Sequence, residues 1–321
     1  MDVPLVAFRG GDGRAAVFVD RCPHRNYPLS QGRVTADGTL ECGYHGWRFD
    51  TGGGCVAVPG LAMESTGGAP PRRVPAHATV ERDGIVWFWG EPEREPSRQP
   101  FHLPSFPDRG SGTAVLRCDL QSTLHAALEN SLDVPHTAFL HRGLFRGGDR
   151  HTVTAVRRPL EDGVEVQYVG EPAGMGPIRL GADTRHTFDH WDRFFLPSIA
   201  QIEYAVQGWF RIVNTIVHLP LSAQRTRAWF VVQYWSRLPA GLVGPIVHVR
   251  GRQILRQDGR ALALQTRTIR SFGGEHFTST DLDVLGNAIW HLLRRAERAE
   301  TQAGSDVDEA EPVDRTVTFE V

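Results

Sequence analysis

The 321-residue sequence predicts an α+β protein of two domains. Three observations carry that expectation. Residues 1–100 hold short apolar β segments separated by Gly-rich turns, residues 91–110 are rich in Pro and charge, and the remainder mixes helical periodicity with a long β stretch. The expected division is therefore 1–100, a small antiparallel β domain, and 101–321, an α+β domain built on an antiparallel sheet.

In chain order, PLVAFR (4–9) and AAVFV (15–19) read as strands around the turn GGDGR. GRVTADGTLEC forms a second hairpin about Asp37-Gly38, and ATVERDGIVWFWG (78–90) a third about Asp83-Gly84. Beyond the linker 91–110, LRCDLQSTLHAALENSLDVPHTAFLHRGLF turns to helical spacing, with Leu120, Leu124, Ala127, Leu128 and Leu132 on one stripe. Residues 150–236 return to β pattern. Residues 245–299 read as two helices, the first from Pro245, separated by a loop with Gly273-Gly274. The last twenty residues are acidic and expected to be loosely held.

Composition excludes several classes. Net charge is −2 with mixed signs and no basic block, so no nucleic-acid partner is expected, and every basic side chain is arginine. The start MDVPLVAFRGG has neither a basic nor an apolar signal region, and no apolar run is long enough to span a membrane. A reducing cytoplasm is the expected compartment, with Cys55 and Cys118 as ordinary buried thiols.

The other two cysteines carry chemistry. Cys22 and His24 form a C-x-H pair; Cys42 and His45 form a C-x-x-H pair after the spacer 25–41. Two thiolates and two imidazoles suit a tetrahedral zinc or a [2Fe–2S] cluster with mixed ligands. C-x-H is tighter than zinc-site spacings, and each loop offers one sulfur and one nitrogen, so one iron can collect both cysteines and the other both histidines. With Gly46-Trp47 following, the pattern resembles the Rieske family. The respiratory-complex type carries an extra cysteine in each loop; CPHRN and CGYHGW have none, so the resemblance is to the kind found in ferredoxins and ring-hydroxylating oxygenases. Members of the oxygenase family usually place a helix and another strand before the first hairpin, so a longer N-terminus is expected than this sequence shows.

A second constellation is Asn130, Asp133, His136 and His141. Two imidazoles and one carboxylate as a facial triad leave open positions on Fe(II) for O₂. Positions 136 and 141 lie about 140° apart on an ideal helix, so the helix must end or distort there, as Pro135 allows. Alone, the pair reads more readily as two half-buried histidines at a helix–loop junction. The run N-x-x-D-x-x-H-x₄-H, however, resembles the mononuclear-iron motif of Rieske oxygenases. Three carboxylates could complete it: Asp258, Asp281 and Asp283. Asp258 shares a helix face with Val247, Ile254, Leu262 and Gln265, where an unmatched charge is costly, whereas Asp281 and Asp283 suit a helix start. Asp258 is the expected ligand, and the resemblance agrees, with Gln257 standing where the family has Glu.

The resemblance implies more: a Rieske domain followed by a helix-grip (START-like) catalytic domain, one [2Fe–2S] cluster and one Fe(II) per chain. It implies O₂ and a small, aromatic or cyclic organic substrate, with electrons from NAD(P)H through a reductase or ferredoxin. It gives Asp133 the role of linking His136 to His45 of a neighbouring copy in a homotrimer, and puts Asn130 near the iron. Phe194, Phe195, Ile202, Trp209, Ile212 and Trp229 are the expected pocket wall. The alternatives are a Rieske electron carrier and a catalytically inactive ligand-binding relative.

Overall fold

The computed structural model describes residues 3–61, 72–107, 109–142, 144, 152–171, 174–175, 178–179, 188–301 and 314–320. The chain forms two compact units, Met1–Leu103 and Pro104–Val321.

The first unit contains β1 (Leu5–Arg9), β2 (Ala15–Val19), a 3₁₀ turn (Leu29–Gln31), β3 (Arg33–Val34), β4 (Leu40–Glu41), β5 (Arg48–Phe49), β6 (Cys55–Ala57), β7 (Ala76–Arg82) and β8 (Ile85–Pro92). They make two four-stranded antiparallel sheets, β1-β2-β7-β8 and β3-β4-β5-β6. All three expected hairpins form. Asp83 (φ 54°) and Gly84 (φ 75°) are both left-handed, the two-residue turn whose twist matches antiparallel strands. Gly38 (φ 79°) lies so close against Gly11 that a side chain would overlap its backbone, which fixes the β3–β4 turn against the first hairpin. Phe8, Phe18, Leu29, Leu40, Phe49 and Val74 form the core, and Cys22 and Cys42 are packed into it.

The second unit runs β9 (Ser111–Leu120), α1 (Leu124–Leu132), α2 (His136–Leu140), β10 (Thr152–Leu160), β11 (Gly163–Val169), β12 (Gly174–Met175), β13 (Ile178–Arg179), β14 (Phe188–Phe195), β15 (Ile199–Val206), β16 (Phe210–Ser222), β17 (Arg225–Ser236), α3 (Ala240–Ser271), α4 (Gly286–Thr301) and β18 (Arg315–Glu320). Eight strands form one antiparallel sheet in the order β18-β10-β11-β14-β15-β16-β17-β9. One face carries Val164, Val166, Phe194, Ala200, Ile216 and Ala228 into a core shared with Ala127, Leu128 and Leu132 of α1 and with Ile289 of α4. Another set of side chains, Glu165, Arg193, Glu203 and Arg211, makes a ladder of ion pairs.

Three expectations are corrected. Leu120 ends β9 and is not part of the helix. Leu116 and Leu120 are buried while Val115, Arg117 and Asp119 are exposed, a period of two that pairs with β17. The helix starts at Leu124, where the Thr123 hydroxyl accepts the Ala126 N–H as its cap. α3 begins at Ala240 rather than Pro245; the proline lies within the exposed first turns, where a missing backbone hydrogen bond leaves its acceptor open to solvent. At the C-terminus, 302–313 lie outside the described residues, but Arg315–Glu320 is no loose tail. It pairs with β10, with Phe319 buried in the core and Val317 packed against it.

Candidate functional site

The two sulfur–nitrogen loops of the first unit are built alike. Cys22 N–H donates to the Tyr27 carbonyl and Asn26 N–H to the Cys22 carbonyl; Cys42 N–H donates to Trp47 and Gly46 N–H to Cys42. Asn26 (φ 59°) and Gly46 (φ 69°) turn the backbone at matching points, each four residues after its cysteine. This repeated geometry puts like beside like. Cys22 and Cys42 are buried, free of disulfides and in direct contact, and burial, with the neighbouring Cys42 sulfur adding to it, pushes the Cys22 thiol up to about 11. The imidazoles of His24 and His45 lie with ring centroids 4.5 Å apart. His24 is stacked under Trp47 at 4.7 Å and 6°, and its buried Nδ1 has no hydrogen-bond partner. His45 is exposed beside Tyr44. A thiol pair facing an imidazole pair, with an orphaned ring nitrogen aimed inward, fits a two-iron cluster with segregated ligands better than a single tetrahedral ion.

In the second unit, α1 stops at Leu132. Asp133 leaves helical geometry (φ −90°, ψ 109°), and Pro135 starts the short α2. His136 thus opens α2 and His141 follows its last residue, which removes the angular separation that one helix would impose. From α3, Asp258 reaches both: its Oδ1 lies 3.0 Å from His141 Nε2 and 3.7 Å from His136 Nε2. The three ligand atoms lie within 4.8 Å of one another, and Asp258 Oδ1 is buried with no hydrogen-bond partner. Asp281 and Asp283 are elsewhere: Asp281 pairs with Arg315, and Asp283 accepts from the Thr280 backbone and hydroxyl.

The far nitrogens of the imidazoles are also held. His136 Nδ1 lies 2.5 Å from the Asp133 carbonyl and 3.3 Å from its carboxylate; His141 Nδ1 lies 2.8 Å from Gln257 Oε1. Burial alone would lower the His136 pKa, but Asp133 and Asp258 overcome it and raise it to about 9. Burial would raise the Asp258 carboxyl, yet His136 and His141 hold it below its ordinary value. The carboxylates that favour positive charge at His136 would equally favour a divalent ion held by the same atoms. Two neutral-capable imidazoles and one carboxylate fit the donor set of non-haem Fe(II).

A cavity of about 510 Å³ is lined by Glu129, Asn130, Asp133, His136, Tyr168 and Asp283, among others. The six aromatic and aliphatic residues expected as a pocket wall do not line it. Phe194 is fully buried in the core, and Trp209 is exposed, with Arg237 over its ring. Burial pushes the Glu129 carboxyl up to about 7, with Asp283 and Asp133 adding to it.

Sequence reasoning missed a buried charged cluster on the sheet. Tyr168, His190 and Tyr204 stand in register on β11, β14 and β15, with centroid separations of 4.6 and 4.2 Å. His190 sits between Glu171 at 2.8 Å and Asp192 at 3.1 Å. Burial opposes its charge, but the two carboxylates outweigh it and raise the imidazole to about 9. The available signal was His190, Asp192 and Phe194 at alternate positions of one strand, two polar groups on a core-facing register.

Residues 1–73 match the Rieske [2Fe-2S] domain, and residues 120–299 match the Vanillate O-demethylase oxygenase C-terminal domain. Dicamba O-demethylase, oxygenase component, from Stenotrophomonas maltophilia is 34% identical over 44% of this chain and 41% of its own length. The 3-chlorobenzoate-3,4-dioxygenase oxygenase subunit of Comamonas testosteroni is 30% identical over 63% of this chain and 46% of its own. Pheophorbide a oxygenase from Oryza sativa subsp. japonica is 34% identical over 43% of this chain and 28% of its own. The chain spans less than half the length of these relatives. The crystal structure of dicamba monooxygenase bound to dicamba superposes with a TM-score of 0.72 at 22% identity, covering 94% of this chain and 92% of that one. NdmA of Pseudomonas putida CBB5 with caffeine gives 0.70 at 19%, covering 94% and 84%. Among the described residues no helix is long and apolar enough to cross a membrane. By its domain pair, the chain belongs to the Rieske non-haem iron oxygenases, in the group with the vanillate O-demethylase type of C-terminal domain.

Proposed function

We propose that this chain is the oxygenase component of a Rieske non-haem iron system that hydroxylates, demethylates or dihydroxylates an aromatic or cyclic organic molecule. The observation that carries the reading is the convergence of His136, His141 and Asp258 in a chain that also holds the paired cysteines and paired histidines. Cys22, Cys42, His24 and His45 hold the [2Fe–2S] cluster, and His136, His141 and Asp258 hold Fe(II). When bound, the cluster supplies single electrons and the iron supplies O₂ activation. The protein's own contribution is placement. Asp133 holds the His136 ring with its Nε2 turned toward Asp258. His45, exposed beside Tyr44, is the cluster histidine open to a partner surface. Its partner in this reading is Asp133 of a neighbouring copy in a cytoplasmic homotrimer. A reductase, with or without a ferredoxin, delivers electrons from NAD(P)H. Asn130 lines the cavity beside His136 without a ligand role.

The test is iron quantification with EPR on anaerobically purified, dithionite-reduced protein. The expected result is a Rieske-type signal with about three irons per chain, falling to two in Asp258→Ala. Two irons in the wild type, unchanged by the substitution, would leave an electron carrier or an inactive relative.

A further inference from the structure

Consecutive residues of α3 address the two nitrogens of one imidazole. Asp258 Oδ1 lies 3.0 Å from His141 Nε2, and Gln257 Oε1 lies 2.8 Å from His141 Nδ1. Neighbouring helical side chains diverge by about 100°, so they cannot point at one atom, but they can grip opposite edges of a ring lying across them. His141 is only 2% exposed, so water does not readily replace either contact.

A neutral imidazole has one proton and two nitrogens. A cation at the His136–His141–Asp258 site needs Nε2 bare, so the proton must stay on Nδ1. We propose that Gln257 is the positioning residue that fixes this tautomer, its amide oxygen accepting the Nδ1–H and turning Nε2 toward Asp258. The inference rests on the mononuclear-metal reading above and assigns a role to the residue that departs from the Glu expected by resemblance. The departure has a chemical consequence. A carboxylate at 257 could only accept, and its charge would make His141 a more basic ligand; an amide accepts without adding charge. His136 faces the Asp133 carboxylate as well as a carbonyl, whereas His141 Nδ1 faces the Gln257 amide oxygen, so the two imidazoles are held by unlike acceptors.

Co(II) is the probe, followed by its visible ligand-field absorption as it is titrated into full-length protein depleted of mononuclear metal, with thermal midpoints recorded for every variant. Gln257→Leu is expected to weaken Co(II) binding about 10- to 100-fold while the thermal midpoint stays near wild type. Gln257→Glu is expected to keep the wild-type affinity or tighten it, and to move the Fe(III)/Fe(II) potential of the iron-loaded site to lower values. Asp258→Ala separates the two claims. If it does not weaken Co(II) binding, the metal reading falls. If it does while Gln257→Leu binds within about threefold of wild type, the positioning role alone is overturned. Should Gln257→Leu fail to fold, a Gln257→Glu protein with unchanged affinity and unchanged potential overturns it as well.

Discussion

Asp258 and His141 meet at 3.0 Å although β10 to β17, most of the large sheet, lies between them in the chain. The contact joins the irregular end of α1–α2 to the middle of α3. A displacement of either element would therefore pull the proposed metal ligands apart.

Asp133 offers His136 two acceptors, its carbonyl at 2.5 Å and its carboxylate at 3.3 Å. Asp133→Ala removes only the second, so mononuclear iron is expected to remain near one per chain. In the proposed relay the carboxylate is also the link to His45 of the next copy, and single-turnover electron transfer should slow by more than about tenfold. Loss of iron in step with loss of transfer would contradict this.

His218, fully buried on β16, lies between the Ser131 hydroxyl and the Ser198 carbonyl. Burial lowers its pKa from 6.5 to about 4. Between those values the unfolded chain binds the proton and the folded one does not. Stability is thus fully present above pH 6.5 and lost as pH falls through 4, by roughly 3 kcal/mol. Urea unfolding at pH 7 and pH 4.5 measures the loss, and His218→Gln should flatten it even if it costs stability throughout.

Glu129 has the opposite sign. Its folded pKa, about 7, is raised above the ordinary 4.5, so the folded state holds the extra proton and stability declines as pH rises across that window. Its carboxylate lies against Gly286 at the N-terminus of α4, which favours the charge and, with partial solvent access, reduces the penalty to about 1–2 kcal/mol. Glu129→Gln is expected to match wild type near pH 4.5 and exceed it near pH 8. Equal stability at both would refute the buried-acid account.

Gly38→Ala should destabilise the first unit by more than about 2 kcal/mol, because the position combines φ 79° with backbone contact to Gly11. Loss of cluster absorbance on mild heating is the measurement, with Gly13→Ala (φ 80° in open space) as a control of smaller effect.

Local signals in the sequence sufficed wherever one turn or one loop settles the outcome. The hairpins around Asp37-Gly38 and Asp83-Gly84 follow from residues that tolerate left-handed φ, and the cysteine–histidine loops from their own spacing. His136 and His141 were legible as a pair through the run N-x-x-D-x-x-H-x₄-H and its resemblance to a known motif, with Pro135 allowing the helix to break before them. Periodicity misled where two periods share residues: Leu120 fits both a helical stripe and an alternating strand, and pairing with β17 chose the strand. β18 was masked differently: RTVTFE alternates strand-favouring residues, but it follows an acidic stretch, and its partner β10 lies far away in the chain.

Asp258 stood among three carboxylates that local pattern could rank but not decide, because only the packed fold brings α3 within reach of His136 and His141. Gln257 as a partner of His141, and the Glu171–His190–Asp192 cluster, belong wholly to tertiary structure. Hydrogen bonds and charge pairs act over about 3 Å. Residues far apart in the chain come that close only after the sheet has formed and the helices have packed on it.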